Sequence, residues 1–448
     1  MGRATSFLSM LLGSILVCHA QEERSVQRRD PQPLVQYPLS QEASPQDGVP
    51  RGRLEGPFNF RSQVIADTTR LYWIFVPAQY RADEPANVLV FQDGARAINP
   101  KGVLCVPQVM ENLIAKRQIP VTIGIFITPG QRGSEFPESI GTGNPDNRDM
   151  EYDVLDDTYA RFLIEELLPE VGKQYNLSTK PEDRAIGGAS SGAICAFTVA
   201  WQRPDEFRNV LSLIGSYTNI HGGHVYPSLV REAERKPIRI FLQDGVNDLR
   251  NAADPDRDWY LQNQKMVAAL TEKGYDMAYV FGEGGHADDH GGAMLPQMLR
   301  WIWRDHPAVE SPATDLVAEA KAIQPRSVEL FPGFDEKAEV DPRGTYVWTN
   351  RFGSQEIANT LVIEGKPGAW QGTLHVQRGD DAAQQYAIEN PEMIGNKFLC
   401  DVTTRFGERT IHASLQGIVS VDQIDGWRVM DIGGTPRDTR WTAKRVKQ

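Results

Sequence analysis

Residues Ile186 to Phe197 read IGGASSGAICAF. One apolar run leads into this stretch and another leads out of it. Between them stand small residues, two serines and a further glycine. Glycine costs backbone entropy inside regular structure, so a cluster of glycines marks a sharp turn or a close approach of another group. Gly188-Ala189-Ser190-Ser191-Gly192 is a G-x-S-x-G pattern. The apolar residues before it predict a strand, Arg184–Ile186, and those after it predict a helix, Gly192–Gln202. Strand, tight serine turn, then helix is the context in which the pattern means a nucleophile elbow. A glycine-rich turn without chemistry is the plain alternative. A phosphate loop is disfavoured, because there is no Gly-Lys-Ser/Thr and no G-x-G-x-x-G.

Working outward, strands and helices alternate from about Glu55 to His306. Strands are predicted at Phe60–Ile65, Leu71–Val76, Val88–Phe91, Val121–Ile127, Val210–Ile214, Ile238–Leu242 and Met277–Phe281. Helices are predicted at Val106–Lys116, Asp153–Gln174, Pro227–Glu234, Trp259–Lys273 and Gly291–Arg304, the second from Tyr159, Phe162, Leu163, Leu167 and Val171 at helical spacing. Such alternation implies right-handed crossovers and a mostly parallel sheet covered on both faces. The expected fold class is therefore α/β, a mostly parallel sheet flanked by helices. After Asp341 the pattern changes to short alternating runs such as GTYVWTN, GAWQGTLHVQ and KFLCDVTTRF. No helix pattern interrupts them, which predicts a C-terminal antiparallel β-barrel or sandwich domain. The expected division is a signal peptide at 1–20, a flexible leader at 21–50, an α/β domain at 51–306, a linker at 307–341 and a small all-β domain at 342–448.

A nucleophilic serine needs a base, and the base needs an orienting acid; on this fold they follow in the order Ser, Asp or Glu, His. Asp248 lies just past the strand Ile238–Leu242, and His286 lies in GEGGHADDHGG after the strand Met277–Phe281. Both fall at the sheet edge that carries Ser190, where open parallel sheets place their sites. Asp244 competes as the acid and His290 as the base; Asp248 and His286 are preferred. His221 and His224, in NIHGGHVYP, reach the same edge and are candidate substrate contacts, or else plain surface histidines. An oxyanion needs two amide donors. Ser191 supplies one, and Gly94 or Ala95, after the strand Val88–Phe91, supplies the other. His286 and His290 are four apart, as metal ligands on a helix would be, but the flanking Gly-Gly pairs argue against a continuous helix. No metal and no cofactor is expected.

The 448 residues carry a net charge of −12, with 40% hydrophobic and 24% charged residues. An acidic surface repels phosphate backbones, so no nucleic-acid partner is expected. Arg3, the apolar run Phe7–Val17 and the small residues around Ala20 form a secretory signal pattern, giving a secreted or periplasmic protein cleaved after Ala20. A lipoprotein anchor at Cys18 is the alternative, and no segment reaches the roughly 20 apolar residues a membrane helix needs. Cys105, Cys195 and Cys400 are expected as buried, unpaired thiols. Tyr346, Trp348, Trp370 and Trp441 either stack on sugars or fill the core of the β domain.

The segments YWIFVPAQY, VLVFQDG, PVTIGIFITPG, Arg148-x-x-Glu151-Tyr152, GGASSGAICAF, RIFLQDGVNDL and GEGGHADDHGG, in that order over more than half the chain, resemble the enterochelin-esterase-like, esterase-D-type α/β-hydrolases, which include feruloyl and acetylxylan esterases of carbohydrate esterase family one. The resemblance implies Ser190 as nucleophile, Asp248 as orienting acid, His286 as base, and Gly94 or Ala95 with Ser191 at the oxyanion. It implies that Arg148 and Glu151 lie near the site, as substrate contacts or as a structural ion pair. The β-rich tail resembles a small lipocalin-like barrel. The expected function is a secreted serine carboxylic-ester hydrolase acting on a small-molecule or carbohydrate-linked ester of feruloyl or acetyl type. A siderophore esterase, acyl transfer to a sugar, and an inactive hydrolase fold that binds a glycan or partner are the alternatives. Oligomeric state is not legible.

Overall fold

The computed structural model describes residues 31, 34–132, 147–251, 253–310, 312–352, 355–379, 381–406, 409–432 and 435–446. The signal-peptide pattern lies outside them.

The strands before the barrel are β1 (Leu34–Gln36), β2 (Arg53–Arg61), β3 (Thr68–Val76), β4 (Asn87–Gln92), β5 (Thr122–Ile127), β6 (Gln131–Arg132), β7 (Arg184–Ala189), β8 (Asn209–Leu213), β9 (Arg239–Gly245), β10 (Asp276–Gly282) and β11 (Arg326–Val328). The main sheet runs β10-β9-β8-β7-β4-β5-β3-β2, with β6 added on β3. From β10 to β5 all neighbours are parallel, while β3 and β2 pair antiparallel at one edge. This is a mixed α/β-hydrolase-like sheet. Alternate residues serve two separate cores, as strands with both faces covered require. Val88 and Val90 join the core beneath the helices 191–202, 226–232 and 259–272. Leu89 and Phe91 join the core beneath the helices 106–115, 289–302 and 316–321.

Two expectations are corrected. The first strand is Arg53–Arg61 rather than Phe60–Ile65; its register shifts between Glu55 and Phe58, a bulge that breaks the alternation a period-two reading needs. Residues from Leu34 onward, expected in a flexible leader, pack on the sheet domain. β1 pairs antiparallel with β11, Tyr37 is 3% exposed, and Asn112 donates to the carbonyls of Glu42 and Ser44. The pairing partner lies nearly 300 residues away, so local composition carries no trace of it. The long helix over 158–172 contains one π segment, Phe162–Leu167.

The C-terminal strands β12 (Gly344–Phe352), β13 (Gln355–Lys366), β14 (Ala369–Arg378), β15 (Gln384–Ile394), β16 (Lys397–Phe406), β17 (Arg409–Val419), β18 (Gln423–Ile432) and β19 (Thr435–Arg445) form a closed antiparallel barrel. Tyr346, Trp348 and Trp441 sit in its core, while Trp370 is half-exposed. Cys105, Cys195 and Cys400 are buried, and none is in a disulfide among the described residues. Among the described residues no helix is long and apolar enough to cross a membrane.

Candidate active site

The elbow forms because small residues permit it. A Cβ on Gly188 would lie 2.6 Å from the carbonyl oxygen of Gly192, so only glycine lets strand end and helix start come this close. Ser190 between them has φ 59° and ψ −124°, a conformation that side chains rarely adopt. That turn presents its hydroxyl above the sheet edge. Ser190 Oγ lies 2.8 Å from His286 Nε2, and His286 Nδ1 lies 2.7 Å from Asp248 Oδ1. A carboxylate can only accept, so Nδ1 carries the proton and Nε2 is left to accept from Ser190. The structure thus brings Ser190, His286 and Asp248 into one hydrogen-bonded line, from three loops at the same edge.

Asp248 is 2% exposed, and its Oδ1 also accepts from Leu249 N at 2.5 Å. Burial opposes its charge, but the facing imidazole and these hydrogen bonds outweigh burial and hold its pKa below the usual carboxylate range. Asp244 is not at the imidazole. It is fully buried, and its Oδ1 accepts from Gly245 N at 2.8 Å. Asp244 Oδ2 and Asp248 Oδ2 meet no N–H or hydroxyl donor, and each carboxyl opposes the other's charge in one buried pocket. One of them must hold a proton. Burial first, then the charge of Asp248, push the pKa of Asp244 well up, so the proton resides on Asp244.

On the other side of the nucleophile, Ser216 Oγ lies 3.1 Å from Ser190 Oγ and accepts from Trp259 Nε1 at 3.0 Å. Indole N–H is donor only, which leaves the Ser216 hydroxyl proton free to point at Ser190. The Trp259 ring also packs edge-on against His286, 5.6 Å between centroids. Neither residue was among the sequence candidates. The available signal was position: Ser216 follows β8, the strand next to the one bearing Ser190.

The expected oxyanion amides belong to first helical turns, where N–H groups lack intrahelical acceptors. Ser191 opens the helix 191–202, and Gly94 and Ala95 open the helix 94–97. Their strands, β7 and β4, are parallel neighbours. A Cβ on Gly192 would come 3.0 Å from Gln92 Cβ, so the two turns abut. Glycine at 94 is demanded by β5 behind it, since a Cβ there would sit 2.4 Å from Ile127 N.

The remaining candidates divide. Arg148 grips Asp93 with Nε at 2.8 Å and Nη2 at 2.7 Å, and Nη2 also donates to Ala189 O at 3.2 Å. It ties the 92–95 turn to the elbow rather than facing substrate. Glu151 is a structural partner: it accepts from Arg70 at 2.9 Å, Asn147 at 2.6 Å and Gly130 N at 3.0 Å, deep in the domain. The expected substrate role of Glu151 is corrected accordingly. His290, a competing base and a candidate substrate contact from its sequence position, serves as neither: it is 2% exposed, stacks on Tyr37 at 4.0 Å and bonds Gln243, and burial pushes its pKa down to about 4. His221 and His224 remain partly exposed, His221 3.4 Å from Asp149 and His224 3.9 Å from Asp256. Asp153, not anticipated, is buried beside Ser191, and burial raises its pKa to about 6 against the pull of Ser191, Arg148 and His221. Among the described residues no cluster of histidine, cysteine and acidic side chains could hold a metal ion.

The mixed sheet and its flanking helices are those of an α/β-hydrolase. A family model described as "Putative esterase" matches residues 65–302, more than half the chain. The protein belongs to that esterase family. The uncharacterized protein YbbA of Bacillus subtilis is 22% identical over 213 residues, covering 46% of this chain and 80% of YbbA. Among solved structures, the enterobactin esterase of Shigella flexneri is 22% identical with a TM-score of 0.44, over 57% of this chain and 60% of that one. The ferulic acid esterase of Anaeromyces mucronatus, from carbohydrate esterase family one, is 16% identical with a TM-score of 0.43, over 59% of this chain and 95% of that one. The chain thus spans under two thirds of the enterobactin esterase.

Proposed function

We propose that this esterase is a serine carboxylic-ester hydrolase in which Ser190 is the nucleophile, His286 the general base and acid, and Asp248 the orienting carboxylate. The observation that carries this reading is the unbroken line from Ser190 Oγ through His286 to Asp248, at 2.8 and 2.7 Å. Ser190 Oγ attacks the ester carbonyl carbon while its proton passes to His286 Nε2. Negative charge on the carbonyl oxygen is met by the amide of Ser191 and an amide of Gly94 or Ala95, at helix N-termini. The tetrahedral centre collapses, the bond to the alcohol oxygen breaks, and Nε2 returns the proton to that oxygen. Water then attacks the acyl-enzyme, gives its proton to Nε2, and releases the carboxylic acid as Ser190 regains its hydrogen. Asp248 keeps the imidazole oriented and stabilises its charged form throughout.

For substrate, the reading is an ester linked to a carbohydrate, of feruloyl or acetyl type, with a siderophore ester as the alternative. The run from Arg3 to Ala20 supports a protein exported from the cytoplasm. The test is turnover of p-nitrophenyl acetate, methyl ferulate and a catecholate ester by wild type and Ser190→Ala, with fluorophosphonate labelling of both. Undiminished turnover by the alanine variant would remove Ser190 from the mechanism.

A further inference from the structure

The C-terminal barrel holds a partly buried charge that pairs with no carboxylate among the described residues. On β18 the residues Ile424, Gly426, Arg428 and Met430 share the inward face, Ile424 lying in the barrel core and Met430 packing on it. Trp427, facing outward, donates to Leu330 O instead. Arg428 therefore points into the barrel. Among the described residues it pairs with no carboxylate, and burial alone pushes its pKa down. Its Nη1 donates to Asn350 Oδ1 at 3.0 Å once that amide is oriented to suit its neighbours. Trp348 Nε1 at 3.2 Å and Asn359 Nδ2 at 3.1 Å converge on the same oxygen. Three donors thus share one acceptor, while two more, Arg428 Nε and Trp441 Nε1, are buried with no acceptor. Trp441 is 4% exposed and pairs with Gly426, which sets it diagonally across β18–β19 from Arg428. Its ring lies 4.9 Å from that of Trp348.

A partly buried guanidinium with no facing carboxylate is costly, and an unmet indole N–H adds to that. Such a surplus of donors is stable when an acceptor comes from outside. We propose that the barrel is a binding site for a small organic carboxylate, its oxygens taken by Arg428 Nε and Trp441 Nε1. Guanidinium presents a planar fork that matches a carboxylate. Leu415, opposite it on β17, and Trp348, which shares the Asn350 oxygen with it, give walls that suit a compact apolar body. An eight-stranded barrel has room for its side chains or for one small ligand, which bounds the size. The site is separate from the Ser190 edge and does not depend on the ester-hydrolase reading.

The test is isothermal titration calorimetry of the full-length Ser190→Ala protein with benzoate, hexanoate, inorganic phosphate and, as a neutral match, benzyl alcohol. Saturable binding of a carboxylate, absent for benzyl alcohol, is expected, with affinity falling about tenfold or more in Arg428→Gln. Trp441→Phe keeps the ring and removes only the N–H, and a loss of about threefold or more is expected there; this variant serves should the Arg428 substitution fail to fold. Carboxylate binding unchanged in both variants would overturn the proposal. So would preference for phosphate, or the absence of any binding or thermal shift at about 10 mM carboxylate.

Discussion

Asp244→Asn is the most exacting test of the site's electrostatics. Asp244 is fully buried; it accepts from Gly245 N through Oδ1, its Oδ2 meets no N–H or hydroxyl donor, and burial with the charge of Asp248 keeps it protonated. Asparagine is its neutral match, with a carbonyl to accept from Gly245 and an NH2 in place of the protonated oxygen. The variant should fold and keep kcat/KM within a few-fold at neutral pH. What changes is the pH dependence of stability. The pKa of Asp244 in the folded protein is raised, so between about 3.9, the unfolded value, and the folded value the native state binds more protons. Stability from this group is complete below that window and declines as pH rises through it, by at most about 1.4 kcal/mol per pH unit. The groups facing Asp244 sharpen the effect: Asp248 and Asp258 both oppose its ionisation. For a domain of this size 1 kcal/mol corresponds to about 2–4 °C, so wild type should lose roughly 3–5 °C per pH unit relative to Asp244→Asn within the window. Differential scanning calorimetry of both proteins from pH 4 to 9, on a Ser190→Ala background, reads this difference directly, because other titrating groups cancel. A melting-point difference that stays constant across that range would refute the protonated state of Asp244.

Other perturbations probe the remaining contacts. Ser190→Ala should lower turnover on the order of a millionfold with little change in melting temperature, checked by ester hydrolysis and calorimetry. The depressed pKa of Asp248 means that its contribution to stability and to imidazole orientation is present above the unfolded carboxylate value and is lost as pH falls through the lower folded value; turnover should fall with acid accordingly, read from a kcat/KM profile. Ser216→Ala leaves the Trp259 indole N–H buried without an acceptor and should cost about 1–3 kcal/mol in denaturant unfolding. Glu151→Gln leaves Arg70 charged and uncompensated in the core, and should cost about 3–5 kcal/mol in the same assay.

How much of this was legible depends on the range over which each signal acts. Ser190 could be found because its turn imposes local demands, glycine at 188 and 192 and a strand and helix on either side. Asp248 and His286 could be found because the chain order and the strand ends restrict where a partner can stand. Residues whose role depends on what lies across the sheet carry no such mark. Tyr37 reads as part of a proline-rich leader, yet its hydroxyl accepts from Glu283 N in the His286 loop and its ring covers His290. Glu151 sits in a segment shared with a family site, but its partner Arg70 lies on β3 and is visible only once the sheet is assembled.

Asp244 marks the boundary between these two cases. Spacing admits it as a rival to the preferred Asp248, since both stand at the end of the same strand. What separates them is which carboxyl reaches an imidazole and which does not, a difference of one turn of backbone. Two acids sharing one buried pocket cannot both ionise, so whichever faces His286 takes the charge and the other keeps the proton. The roles follow from neighbours rather than from residue type, and the same reasoning applies in the barrel, where Arg428 is marked by the absence of an acid opposite it. A sequence lists the charges; only the assembled fold shows which of them are balanced.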